Sequence, residues 1–369
     1  MSEAGQRLGA GGRTVCAAIV ALSAACDGGS GGVGGGRPDR SGDAVERSVR
    51  DVEWSVVLDV RGSLQDSTLL AVGSIAADSG GVSVVDPMRA RVVRFGRDGG
   101  VRWAFGARGS GPGEFERPIQ VALDARGRTW VLDDRAMRVT VIGADGGDRL
   151  VIPLEGLPGL PNGFVPLPGD ELVLAVLDLT WPLVRLDRDG TVIDRAALPG
   201  EPLSELDVIR SQFALAGGGA GERWVAAFSF LDGFFAFDGL RARGYRGRYV
   251  ERVPPPDVAL RSVREGGRQT RALTLESSVP SALAADVAGD RVHVLFGGET
   301  EDRGRIIDVY EHETGRYVES LRLPRRGFDL AVGGGVFYLA YADPFASILG
   351  VRANGGATGA QPNREGGRE

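Results

Sequence analysis

The chain carries few side chains suited to acid–base or metal chemistry. It has two histidines, His293 and His312, and two cysteines, Cys16 and Cys26. All 43 basic residues are Arg, so no lysine is present to form a Schiff base or act as a general base. His293 lies between Val292 and Val294 and reads as a packed strand residue. His312, in Tyr310-Glu-His-Glu-Thr-Gly315, stands beside a hairpin turn and is expected to be exposed. Two such separated histidines do not build a multi-His zinc centre. Asp187-Arg-Asp189-Gly190 has the opening of a calcium loop without its later ligands, so it reads as a hairpin turn. The Gly-rich stretch 106–113 precedes neither a helix nor a Gly-Lys-Ser/Thr triplet, which excludes a phosphate loop. No catalytic residue, metal ligand or cofactor is therefore assigned. What remains is carboxylate, guanidinium and indole. Asp86, Asp133 and Asp178 each end an apolar run and are expected to cap turns by accepting backbone N–H bonds. Arg117, Asp134, Arg135, Trp181, Arg303 and Arg326 are the candidate ligand contacts, a mixture that suits a peptide, a saccharide or an acidic group on a partner.

These residues can converge only if something repeats them around a centre, and the sequence has such a repeat. Gly80-Gly-Val-Ser-Val-Val-Asp86 through Asp98-Gly99 returns, 47 residues on, as Gly127-Arg-Thr-Trp-Val-Leu-Asp133 through Asp145-Gly146. Each copy reads as strand, Asp turn, strand, Asp-Gly turn. A third copy runs from Glu171 to Asp178 and on from Pro182 to Gly190. Looser copies begin at Arg223, Arg291 and Val336. Six units thus fill residues 74–353, each of a length that holds four short strands. Their strands are apolar on both faces, as blades stacked between neighbours require. Gly makes up 58 of 369 residues, against a usual ~7%, which excludes a helical bundle.

Between the first two units, Phe105-Gly106-Ala-Arg-Gly109-Ser-Gly111-Pro112-Gly113-Glu114-Phe115, followed by Pro118 and Asp124, resembles the inter-blade signature of NHL-repeat proteins. The resemblance is dense over residues 74–146 and rests on periodicity further along. It implies an all-β, six-bladed propeller of four-stranded blades at residues 54–353. The last unit supplies three strands, and Trp54–Val60 is a lone strand before the first unit, so it is expected to complete the sixth blade and hide both edges. In such a ring, the loops after each second strand and those joining the blades share one funnel. The expected role is a non-catalytic ligand- or protein-binding scaffold; the alternative is a metal-dependent, lactonase-like hydrolase or lyase whose ligands come from several blades. Residues 241–278 depart from the repeat, with nine Arg, Pro254-Pro-Pro256 and an expected short helix over 257–264; they read as a decorated loop or a basic docking surface.

The ends of the chain give its expected address. Residues 14–25 are uncharged and mostly apolar, too short to span a bilayer as a helix but suited to a signal-peptide core. They end in Leu22-Ser23-Ala24-Ala25-Cys26, which resembles a bacterial lipoprotein signal with Cys26 as the lipidated residue. On this reading residues 1–25 are removed and 26–53 form a flexible Gly-rich tether. Residues 354–369 are a polar, disordered tail, and the protein faces the periplasm or the outside as a lipid-anchored monomer. Its partners would be a peptide, glycan or envelope protein at the funnel, with the membrane touched through the anchor only. The net charge of −6, about −7 after loss of the signal, argues against nucleic acid.

Overall fold

The computed structural model describes residues 46–62, 68–200, 213–217, 223–265, 268–342 and 344–354. Cys26, the signal and most of the tether and tail therefore lie outside the described residues. The described residues begin with β1 (Val49–Asp51) and β2 (Trp54–Arg61) and then build blades. Blade one is β3 (Ile75–Asp78), β4 (Gly81–Asp86), β5 (Arg91–Gly96) and β6 (Val101–Phe105). Blade two is β7 (Pro118–Leu123), β8 (Thr129–Asp133), β9 (Arg138–Ile142) and β10 (Arg149–Pro153). Blade three is β11 (Pro161–Leu167), β12 (Glu171–Val176), β13 (Leu183–Leu186) and β14 (Val192–Ala196). Blade four is β15 (Phe213–Gly217), β16 (Arg223–Phe228), β17 (Phe234–Asp238) and β18 (Arg241–Gly247). A separate ribbon, β19 (Asp257–Glu265) and β20 (Arg268–Ser277), precedes blade five. That blade is β21 (Ala282–Ala288), β22 (Arg291–Phe296), β23 (Ile306–Glu311) and β24 (Tyr317–Arg322). Blade six is β25 (Asp329–Gly333), β26 (Val336–Tyr341), β27 (Ser347–Ala353) and, antiparallel to β27, the N-terminal β2. The protein is thus an all-β propeller of six four-stranded blades closed by its own N-terminal strand.

Burial follows strand position. Second strands such as β4, β8 and β26 are buried at every residue, because both faces meet a neighbouring blade. Outermost strands alternate or are exposed, as in β6 and β14. The core is divided into six apolar clusters, one at each seam. Between blades one and two lie Val85, Val92, Phe115, Val121, Val131 and Ile142. At the closure seam, Leu58, Val60, Val336 and Tyr338 of blade six pack on Val82, Val84 and Phe95 of blade one. Trp224 and Phe237 stack at 4.0 Å within the seam of blades three and four. The Gly-rich signature has a packing reason: Gly106, at φ 107°, leaves no room for a Cβ, which would lie 2.6 Å from the ring of fully buried Phe115.

Two expectations change. Residues 257–264 form strand β19 rather than a helix, because residues 268–277 pair with them across Gly266-Gly267. Residues 46–53, read as tether, lie on blade five: β1 adds a parallel fifth strand to β24, with Val49 opposite Ser320. Arg47 pins this segment, donating to both oxygens of buried Asp308 at 3.1 and 2.9 Å and to Glu251 at 2.6 Å, with its guanidinium over Phe296. The Trp54 indole N–H then bonds the Arg322 carbonyl at 2.7 Å.

Candidate functional site

Each blade is an antiparallel meander, so the turns after second strands and the connections between blades emerge at one end of the ring. Asp86, Asp133 and Asp178 do cap turns at this end. Asp133 accepts N–H bonds from Glu116, Arg117 and Ala136 at 2.7–3.0 Å, tying the blade-one connection to the β8–β9 turn. Asp178 accepts from Thr180 and Trp181 at 2.9 and 2.6 Å, and Asp86 from Leu70 at 3.2 Å.

The six sequence-derived candidates share this loop face but fall in three places. Arg117, Asp134 and Arg135 meet on blade two: Arg117 Nε donates to Asp134 at 2.7 Å, and Arg135 lies 3.5 Å from Glu116. Trp181 projects from blade three, 42% exposed. Arg303 and Arg326 occupy neighbouring loops of blade five and its connection to blade six, where Arg326 donates to the Glu301 carbonyl at 2.9 Å. On blade two Arg117 pairs with Asp134 and Arg135 with Glu116, and none of the six lines the central channel.

The centre of the ring has a different character. The six innermost strands enclose a channel of about 60 Å³, lined mainly by Ala, Ile, Val and Leu with Ser74, Gln120, Asp286 and Asp329. That volume holds a few waters, not a drug-sized ligand. Its polar groups stitch neighbouring blades. Val121 N–H bonds Ser74 Oγ at 3.4 Å. The Gln120 amide accepts from Phe164 N–H at 2.9 Å and donates to the carbonyls of Phe164 and Leu215. Asp286 accepts from Val287 and, across the next seam, from Val332 at 2.6 Å. Asp329 accepts from Leu330 and, across the closure seam, from Ile75 at 3.1 Å. Burial pushes the Asp286 carboxyl up to about 7; its two N–H donors oppose this and the nearby Asp329 charge adds to it. Sequence reasoning missed this ring, although the polar residues Gln120, Asp286 and Asp329 in the otherwise apolar innermost strands β7, β21 and β25 were its visible trace.

Among the described residues no three His, Cys, Asp or Glu side chains are grouped to hold a metal ion. His293 packs edge-on to Phe337, and burial lowers its pKa to about 4. His312 is buried rather than exposed, with Nε2 3.4 Å from the Trp224 carbonyl, because its hairpin turn abuts blade four.

Apolar exposure singles out the loop face. Leu70, Met88, Leu160, Trp181 and Phe345 are exposed large apolar side chains on its turns and connections. The others among the described residues, Val56, Val57, Val101, Val151, Ile193 and Val318, all lie on outermost strands. None sits in a turn at the opposite end.

No protein-family model matches the chain. Human NHL repeat-containing protein 3 is 34% identical over 76 residues, 20% of this chain and 22% of that protein, so the match spans about a fifth of the relative's length. Among solved structures, an exported protein from Bacteroides fragilis aligns with 84% of this chain and 100% of its own, at 12% identity and TM-score 0.50. A protein of unknown function from Bacteroides thetaiotaomicron aligns over 81% of this chain and 76% of its own, at 15% identity and TM-score 0.50. These structural likenesses speak to fold alone, and they agree with the repeat and the ring of blades: the chain is an NHL-like six-bladed β-propeller.

Proposed function

We propose that the protein is a lipid-anchored, extracytoplasmic binding module that takes no catalytic part and holds a peptide segment of an envelope protein on its loop face. The observation that carries this reading is where apolar surface is left uncovered. The turns and connections of one end expose Leu70, Met88, Leu160, Trp181 and Phe345, while the opposite end exposes no large apolar side chain among the described residues. Exposed apolar and aromatic groups beside charged pairs are the composition of a protein-recognition surface. The channel, by contrast, is narrow and its polar groups are engaged in joining blades. The anchor reading is supported by the Leu22–Cys26 sequence.

The test is photo-crosslinking in the native envelope. A photoreactive phenylalanine analogue at Trp181 or Phe345 should yield a discrete protein adduct, and one at Val151 on the outer rim should not. Equal labelling from all three positions, or none, would overturn the loop-face assignment. Mass spectrometry of the native N-terminus should show an acylated Cys26.

A further inference from the structure

The last strand of blade four ends on the loop face in a run of cations. β17 opens directly after the 229–233 turn, and its first residues pair with the end of β18, Phe234 opposite Gly247 and Phe235 opposite Arg246. Arg246, Arg248 and Arg252 are all exposed here, on a chain that as a whole carries −6. The nearby carboxylates are already engaged. Glu251 holds Arg47 at 2.6 Å. Asp232 accepts the Tyr249 N–H at 3.0 Å and lies 3.6 Å from Arg252. Among the described residues no carboxylate pairs with Arg246 or Arg248.

Arg246 is held in place by rings. Its guanidinium carbon stands 5.1 Å from the ring centre of Phe228 and 5.9 Å from that of Phe235. These two rings meet edge to face at 5.8 Å, and Phe213 packs on Phe228 in the same way at 5.9 Å. All three are buried in the seam of blades three and four. A guanidinium laid on such a floor loses water on one side, while its N–H groups stay open to a planar anion at its edge. Desolvation lowers the Arg246 pKa; the Asp232 charge opposes this and the Arg248 charge adds to it. A cation so placed gains when an anion arrives to share its donors.

Arg248 reinforces the site. Gly247 separates the two arginines and is pressed against the Phe234 ring, where a Cβ would lie 2.4 Å from a ring carbon. Alternate residues of a strand share a face, so Arg248 stands on the same side as Arg246. The seam beneath also belongs to blade three, whose β12–β13 turn carries the exposed Trp181.

We propose that Arg246 and Arg248 form an anion subsite of the loop face, which receives a carboxylate side chain of the bound segment. The partner segment is thus an acidic peptide. This inference rests on the peptide-binding reading above and names the class of peptide.

The test is fluorescence anisotropy of the purified protein with fluorescein-labelled hexaglutamate, and with labelled hexaglutamine as the neutral comparison. Hexaglutamate should bind and be released by salt, and hexaglutamine should not bind. Arg246→Gln combined with Arg248→Gln should weaken binding on the order of a hundredfold, about tenfold per guanidinium. Arg248→Gln alone, which leaves the ring contacts of Arg246 in place, should lose about tenfold with an unchanged unfolding temperature. Arg195→Gln, at an exposed arginine of β14, should leave the affinity as it was. No binding of hexaglutamate, equal binding by the double variant, or the same loss in Arg195→Gln overturns the subsite. So does full displacement of the peptide by inorganic phosphate at matched ionic strength, because the site then serves a small free anion. Crosslinking from Trp181 and Phe345 reads the loop face independently. Adducts without hexaglutamate binding overturn the acidic class alone, whereas hexaglutamate binding without adducts supports the subsite and overturns the envelope-protein partner.

Discussion

At the scale of single residues, the propeller depends on a few groups whose surroundings oppose their usual chemistry. Asp286 is held near 7, against about 3.9 for a free carboxyl. The folded chain keeps this proton when the unfolded chain has lost it. Stability present at low pH is therefore lost as pH rises from about 4 to about 7. His293 works in the other direction: with its pKa lowered to about 4 from about 6.5, stability is lost as pH falls through that interval. Asp286→Asn should cost about 1–3 kcal/mol at low pH, because the amide cannot accept both N–H bonds. The deficit should shrink as pH rises towards 7, by up to a few kcal/mol; urea unfolding at several pH values would show it. A constant deficit would contradict an elevated pKa at this site. The second residue-scale case is Phe115, fully buried in the first seam over Gly106. Phe115→Ala should cost about 3–5 kcal/mol in the same assay. Gly106→Ala should also destabilise, through both its positive φ and the lost space.

At the scale of elements, closure is shared by two N-terminal strands. β2 completes blade six, as its isolated position in the sequence predicts. β1 extends blade five, and nothing local announces it: three residues of mixed polarity become a strand because β24 offers a free edge and Arg47 finds Asp308. Arg47→Ala leaves Asp308 buried without its cation, a change that typically costs about 3–5 kcal/mol. The unfolding temperature should fall while circular dichroism stays β-rich. Starting the chain at Trp54 should produce a similar loss, whereas starting it at Gly62 should prevent folding, since blade six then lacks a strand and two sheet edges open. A folded, monomeric chain beginning at Gly62 would contradict closure by β2. The ribbon shows the reverse error: Val258, Leu260 and Val263 fit a short helix about as well as a strand, and only the pairing beyond Gly266-Gly267 selects the strand.

At the scale of the whole molecule, six seams carry six separate cores, so the ring is held by neighbour contacts and by the polar stitches facing the channel. Those stitches bear on metal chemistry. Each oxygen of Asp286 and Asp329 already accepts a backbone N–H, and no third ligand joins them among the described residues. Dialysis against a chelator should leave the unfolding temperature unchanged. A fall in that temperature, together with loss of about one divalent ion per chain seen by elemental mass spectrometry, would restore the hydrolase or lyase reading.

The repeat made the fold legible because a blade is a local object. Strand, Asp turn, strand and Asp-Gly turn recur within about 47 residues, and turn chemistry and two-sided apolarity follow from nearest neighbours in the chain. The lone strand at Trp54 followed from counting strands against blades. Convergence was not legible, because it depends on contacts between blades far apart in sequence. Ser74, Gln120, Asp286 and Asp329 meet around one channel only after the ring closes, and each stands alone beside an apolar run of its own blade. His312 is buried because a turn of blade five meets blade four. Arg117 and Asp134 pair within blade two, while Trp181 and Arg326 stand on other parts of the ring. The sequence by itself determined the blades, their number and their closing strand; which side chains share a surface was decided by the tertiary structure, through the curvature that brings the six units around one axis.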